Sequence, residues 1–212
     1  MKGRLSMAST RAGLVERAKN ILVAPKTEWP VIDGEPSTIG DIYKNYVIVL
    51  AAIPAICTFI GSALFGYSVL GVAFRVPIVT ALSSAIVSYV LSLISTYVLG
   101  MIIDALAPSF GGTRNPVQAF KVAAYSNTAG WVAGLLMILP QLTVIAGLIS
   151  LYGFYLLYLG LPVLMKAPKE KALAYTIVTV IAAIILFVVV GAVVGAVGSI
   201  FTPVMPIGAH VL

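Results

Sequence analysis

The sequence predicts an all-α membrane protein: five transmembrane helices, with a short amphipathic N-terminal interfacial helix ahead of them. Three observations predict it. Of the 212 residues, 60% are hydrophobic and only 9% are charged, against roughly 45–50% and about 25% in soluble globular domains. The apolar residues gather into five runs, each long enough for the roughly 20 residues that cross a bilayer core as a helix. Lysine and arginine fall between those runs, with a bias to alternate links. A soluble fold of this size could not hide so much apolar surface, because one core saturates and the remainder must face the solvent. The chain divides accordingly into a cytoplasmic N-terminal segment (1–45), a five-helix membrane domain (46–201) and a C-terminal tail (202–212).

The first element begins at Leu14. At a helical period Leu14, Val15, Ala18, Ile21 and Leu22 share one face, while Glu16, Lys19 and Asn20 take the other. Pro25 ends this helix, and Trp29 follows at a natural headgroup depth. Two roles fit it. It lies in the cytoplasmic interface with Arg17 and Lys19 near anionic headgroups, or it packs against the cytoplasmic end of the bundle.

Five spans follow: Tyr46 to Phe65, Pro77 to Ile103, Val117 to Leu139, Leu142 to Met165, and Leu173 to Phe201. Only Pro140 and Gln141 divide the third from the fourth, which fits either a tight hairpin or a kink in one long helix. Charge favours the hairpin. With five spans, twelve of the 13 lysines and arginines fall on one side and only Arg75 on the other. The positive-inside rule then sets the N-terminus in the cytoplasm and the C-terminus outside. No cleavable leader is expected, since the first apolar run starts only after about forty-five mixed residues.

Intramembrane polar residues are the natural functional candidates. The second span carries Ser84, Ser88, Ser92, Thr96, Gly100 and Asp104, each four residues after the last. At about 400° per step the row drifts round the helix as an inclined ridge. Small hydroxylated residues let another backbone approach closely, so a packing seam and a substrate-lining face both fit. Gly130/Gly134 and Gly191/Gly195 are GxxxG pairs with the same packing reading. Asp104 reads as an interfacial carboxylate near Arg114. In the fourth span Tyr152, Tyr155 and Tyr158 recur every three residues, at an expected depth near mid-membrane. Their hydroxyls need partners there, which the Ser/Thr row, a lipid or a partner protein could supply.

Absences narrow the function. No GxxxxGK[ST] phosphate loop or GxGxxG turn is present. His210, the only histidine, lies in the tail, and Cys57 is the only cysteine. No catalytic residue, cofactor or metal site is expected, and the scattered basic residues form no nucleic-acid patch.

Several segments carry a family resemblance. Glu16-Arg-Ala-Lys-Asn-Ile-Leu, Pro25-Lys-Thr-Glu-Trp, Asp33-Gly-Glu-Pro, Gly40-Asp-Ile-Tyr, Ala51-Ala-Ile-Pro-Ala-Ile-Cys-Thr-Phe-Ile-Gly and Tyr152-Gly-Phe-Tyr-Leu-Leu-Tyr-Leu-Gly-Leu-Pro occur in order. Together they resemble the bacterial inner-membrane branch of the Yip family. The first dozen residues look like an addition to that pattern, with Met7 an alternative start. In Tyr125-Ser-Asn-Thr-Ala, Ala129 stands where related sequences often have proline, which removes a proline-driven reason for a kink. The resemblance implies a five-span protein of the cell inner membrane. Eukaryotic members associate with prenylated Rab-type GTPases and membrane-shaping proteins, an activity that does not carry over to a bacterial member.

The expected function is non-enzymatic membrane organisation, through helix contacts with membrane lipids, other membrane proteins or further copies of the chain. The alternative is a small transporter or channel whose path is lined by the Ser/Thr row.

Overall fold

The computed structural model describes residues 13–69, 72–74 and 76–201. Two short helices lead in. Helix α1 (Leu14–Val23) stops at Ala24, where Pro25 cannot continue it and instead starts α2 (Pro25–Gly34) at its first position. Helix α3 (Ile39–Leu64) opens with a reciprocal capping box, Thr38 accepting from the Asp41 amide and Asp41 from the Thr38 amide. A π-turn spans Tyr43–Val47 within it. A small antiparallel hairpin, β1 (Tyr67–Val69) and β2 (Val72–Phe74), pairs Ser68 with Ala73 and leads to α4 (Ile78–Leu106). Its 29 residues span about 43 Å.

The expected third span is not one helix. It is α5 (Pro116–Ser126), α6 (Thr128–Ala133) and a 3₁₀ turn over Gly134–Ile138. The interruption falls at Asn127 without any proline, where the side-chain amide donates to Thr96 Oγ1 at 3.3 Å. The chain then reverses at Leu139 and Pro140 into α7 (Thr143–Ser150) and α8 (Tyr152–Leu164). Gly130 faces Ser150 and Gly153 faces the carbonyl of Ser126, an antiparallel register. Pro140 therefore sits in a turn and does not kink a continuous helix. Helix α9 (Lys169–Phe201) closes the bundle.

Among the described residues four helices are long and apolar enough to cross a membrane: Ile39–Leu64, Ile78–Phe110, Pro140–Leu164 and Lys169–Ile200. Helix α9 packs on α4 and α8, and the broken third element is the one that α3, α4 and α8 enclose. Every residue from Ala119 to Ser126 is buried, and its neighbours reach it through glycine. A Cβ at Gly100 would stand 3.2 Å from Phe120 Cα, and one at Gly61 would collide with the Met137 carbonyl oxygen. Small residues permit this backbone approach, which supplies dispersion and polar contact where lipid tails offer no hydrophobic drive between helices. The lipid side is the reverse: Ile78, Leu82, Ile86, Val90, Ile94 and Met101 form an exposed apolar stripe on α4.

The segments rich in basic residues meet at one end. Thr113 N–H donates to the Met165 carbonyl at 2.8 Å, Gln118 reaches Asp33, and Lys166 pairs with Asp33. The N-terminal segment, the α4–α5 link and the α8–α9 link thus share one face of the molecule.

Candidate functional site

The first buried charged cluster is one that periodicity did not reveal. Helices α1 and α2 form a hairpin wedged against α5, α6 and α8. Arg17, only 3% exposed, pairs with Glu28 and Glu35 and lies with its guanidinium 5.9 Å from the Tyr125 ring. Burial opposes its charge. The hydrogen bond to Glu35 and the charges of Glu35 and Glu28 outweigh that, and its pKa is raised. Lys121, 2% exposed, reaches in from α5 and donates to the carbonyls of Ile32 at 2.8 Å and Glu35 at 2.7 Å. These contacts tie the backbone of α2 to the central helix.

Arg17 faces inward, away from the headgroup placement that one of the two roles gave it. Ile21 is fully buried with Ala18, whereas Val15 is 77% exposed. The helix packs on the bundle through Arg17, Ala18 and Ile21. Lys121, counted with the cytoplasmic link, is also an interior residue. The missed signal was opposite charge at long separation. Arg17, Glu28 and Glu35 all fall within the segments that carry the resemblance.

The Ser/Thr row turns from one neighbour to another along α4. Ser84 Oγ lies 3.7 Å from where a Cβ at Gly198 would stand, so this end meets α9. Ser88 donates to its own helix at Ala85, and Ser92 is half-buried. Thr96 is buried, donates to the Ser92 carbonyl at 2.9 Å and accepts from Asn127, and Gly100 meets Phe120. Asp104 is set apart. With Gly100, Arg114, Tyr97, Met101 and Phe120 it lines a cleft of about 340 Å³, and its Oδ1 has no hydrogen-bond partner among the described residues.

The tyrosines do not meet that row. Tyr152 donates to the Leu22 carbonyl of α1 at 3.0 Å, and its ring lies 5.4 Å from that of Tyr155. Tyr155 and Tyr158 are 40% and 41% exposed. Tyr158 shares a second cleft, of about 280 Å³, with Lys26, Trp29 and Lys169. That places it beside the basic residues at the C-terminal half of α8. It lies six residues before Leu164, or about 9 Å. The two GxxxG pairs also separate. Gly134 packs on Pro54, while Gly191 and Gly195 meet no neighbour among the described residues.

Among the described residues no three His, Cys, Asp or Glu side chains group as a metal site. Gly71, Arg75, His210 and Leu212, which bear on the topology, lie outside the described residues.

Comparison with known proteins gives two findings. The model of the Yip1 domain matches residues 19–191. Inner membrane protein YohC of Escherichia coli K12 is 31% identical over 156 residues, covering 72% of this chain and 80% of the relative. YohC of Escherichia coli O6:H1 gives the same figures. No solved structure matches.

Proposed function

The chain belongs to the Yip1 domain family, and from that premise we propose that this multi-pass inner-membrane protein is a non-enzymatic organiser of the membrane. It crosses the membrane five times, with the N-terminus in the cytoplasm and the C-terminus outside. It works through the contacts its helices make with lipids and other membrane proteins. One observation carries the reading: the hydroxyl row of α4 turns between helix neighbours, Ser84 meeting Gly198 of α9 and Thr96 meeting Asn127 of the third element, while Gly100 and Asp104 at its end line the cleft with Arg114. Transport along α4 would need those groups to face water.

Helix direction supports the five crossings. Tyr43 meets Leu93 while Tyr89 meets Ile48, so α3 and α4 are antiparallel. Tyr46 meets Thr128 while Pro54 meets Gly134, so α3 and the third element are parallel. Tyr175 meets Ile103 while Gly198 meets Ser84, so α9 opposes α4. Alternating directions with all basic links at one end are what an odd number of crossings produces.

The test is water access at Ser92. In a Cys57→Ala background, Ser92→Cys should resist a membrane-impermeant maleimide added to either side of sealed vesicles. It should react after denaturation. Labelling of the folded protein from either side would mean a wet path along α4 and would favour the transporter.

A further inference from the structure

The geometry points to a binding site for the phosphate of an anionic phospholipid in the cleft between α2, α8 and α9. This rests on the membrane placement proposed above and assigns one lipid class to it. Lys26, in the first turn of α2, and Lys169, the first residue of α9, stand on the cleft with Trp29 and Tyr158. Neither lysine makes an ion pair with another described residue. Trp29 is completely buried, yet its indole N–H has no hydrogen-bond partner among the described residues. A buried donor left this way is costly and is usually satisfied by a ligand or water.

The chemistry is one-sided. Each polar side chain lining the cleft can donate a hydrogen bond, and none is a carboxylate. Two ammonium groups, an indole N–H and a phenol suit an anion rich in acceptor oxygens. The other cleft differs, because Asp104 stands there beside Arg114 and opposes an anion. The remaining wall is apolar, with Leu159 and Pro162 lining it, and it borders α9 where Leu173 and Ile177 are 61% and 51% exposed. A phosphate held by the lysines can therefore keep its acyl chains on apolar surface. A free phosphate gains nothing from that wall, and a zwitterionic lipid leaves the two ammonium charges uncompensated.

The experiment uses the full-length protein in neutral detergent, with melting followed as phosphatidylglycerol, phosphatidylcholine or inorganic phosphate is added. Phosphatidylglycerol should raise Tm by about 5 °C or more once it is a hundredfold above its dissociation constant. Neither phosphatidylcholine nor inorganic phosphate should reproduce the shift. Each of Lys26→Gln and Lys169→Gln should weaken the lipid about fivefold, and together about 25-fold, which removes most of the shift. Trp29→Phe keeps a ring but lacks the N–H and should lose part of the shift. Removing equal charge with Lys44→Gln and Arg114→Gln should leave the shift intact. An equal shift from inorganic phosphate, or an equal loss from the Lys44/Arg114 pair, would overturn the site. Because melting without lipid and maleimide labelling at Ser92 read the bundle itself, failure of the lipid site is separable from failure of the proposed function.

Discussion

The ring of Trp29 lies so close to Gly160 that a Cβ there would stand 2.8 Å from Cζ2 and 2.9 Å from Cε2. Helix α2 is thereby seated directly on α8, and the fully buried indole is the largest side chain in that contact. Lys121 holds the same helix from the other side through the carbonyls of Ile32 and Glu35. The N-terminal hairpin is therefore an integral part of the bundle.

Replacing Gly160 should unseat it. Gly160→Val forces the indole to shift and is expected to cost about 1–3 kcal/mol, as overpacking does. Limited proteolysis of the detergent-solubilised variant should cut first in the α1–α2 segment. Unchanged melting and an unchanged cleavage pattern would mean that the contact contributes nothing.

The Arg17 cluster should behave as a unit. Arg17→Met leaves Glu28, 7% exposed, without its cation, and a loss of about 3–5 kcal/mol is expected for breaking a buried pair. Adding Glu28→Leu and Glu35→Gln should restore part of it, because the uncompensated charges go too. Additive losses in thermal melting would show that the three residues are not coupled.

The glycine pairs provide an internal contrast. A Cβ at Gly134 would stand 2.6 Å from Pro54 Cβ and 2.8 Å from Pro54 Cα, whereas among the described residues nothing lies within 4 Å at Gly191 or Gly195. Gly134→Ala should destabilise by about 1–3 kcal/mol. Gly191→Ala and Gly195→Ala should be neutral, or stabilising by up to about 1 kcal/mol through helix propensity. If either α9 variant loses as much stability as Gly134→Ala, that face of α9 meets a further copy or another protein.

Topology is checked by reporter fusions. Alkaline phosphatase placed after Gly71 or Leu212 should be active, and after Lys169 it should be silent. A silent Leu212 fusion would refute the five-crossing arrangement.

Much of the fold was legible because a bilayer acts on sums along the chain. Four of the five expected spans coincide with helices long and apolar enough to cross, and the basic links come together at one end as their charge bias predicts. These properties need only residue type and order, since hydrocarbon selects apolar length and the cytoplasmic side selects lysine and arginine. The turn at Pro140, which the charge bias favours over a kink, followed from the same arithmetic.

Tertiary structure decided the rest, because one local pattern serves two environments. The apolar face of α1 suits lipid or protein equally, and only the docked position buries Ile21 while leaving Val15 exposed. Gly134 and Gly191 belong to the same motif, yet among the described residues only one has a neighbouring backbone. Tyr152 finds its acceptor in Leu22, 130 residues away. Arg17 looks like a surface cation until Glu28 and Glu35 fold around it. The break at Asn127 follows from no local helix breaker, and the side chain there bonds to Thr96 on another helix. Which partner a side chain meets depends on distance in space, and that is fixed only when the helices have packed.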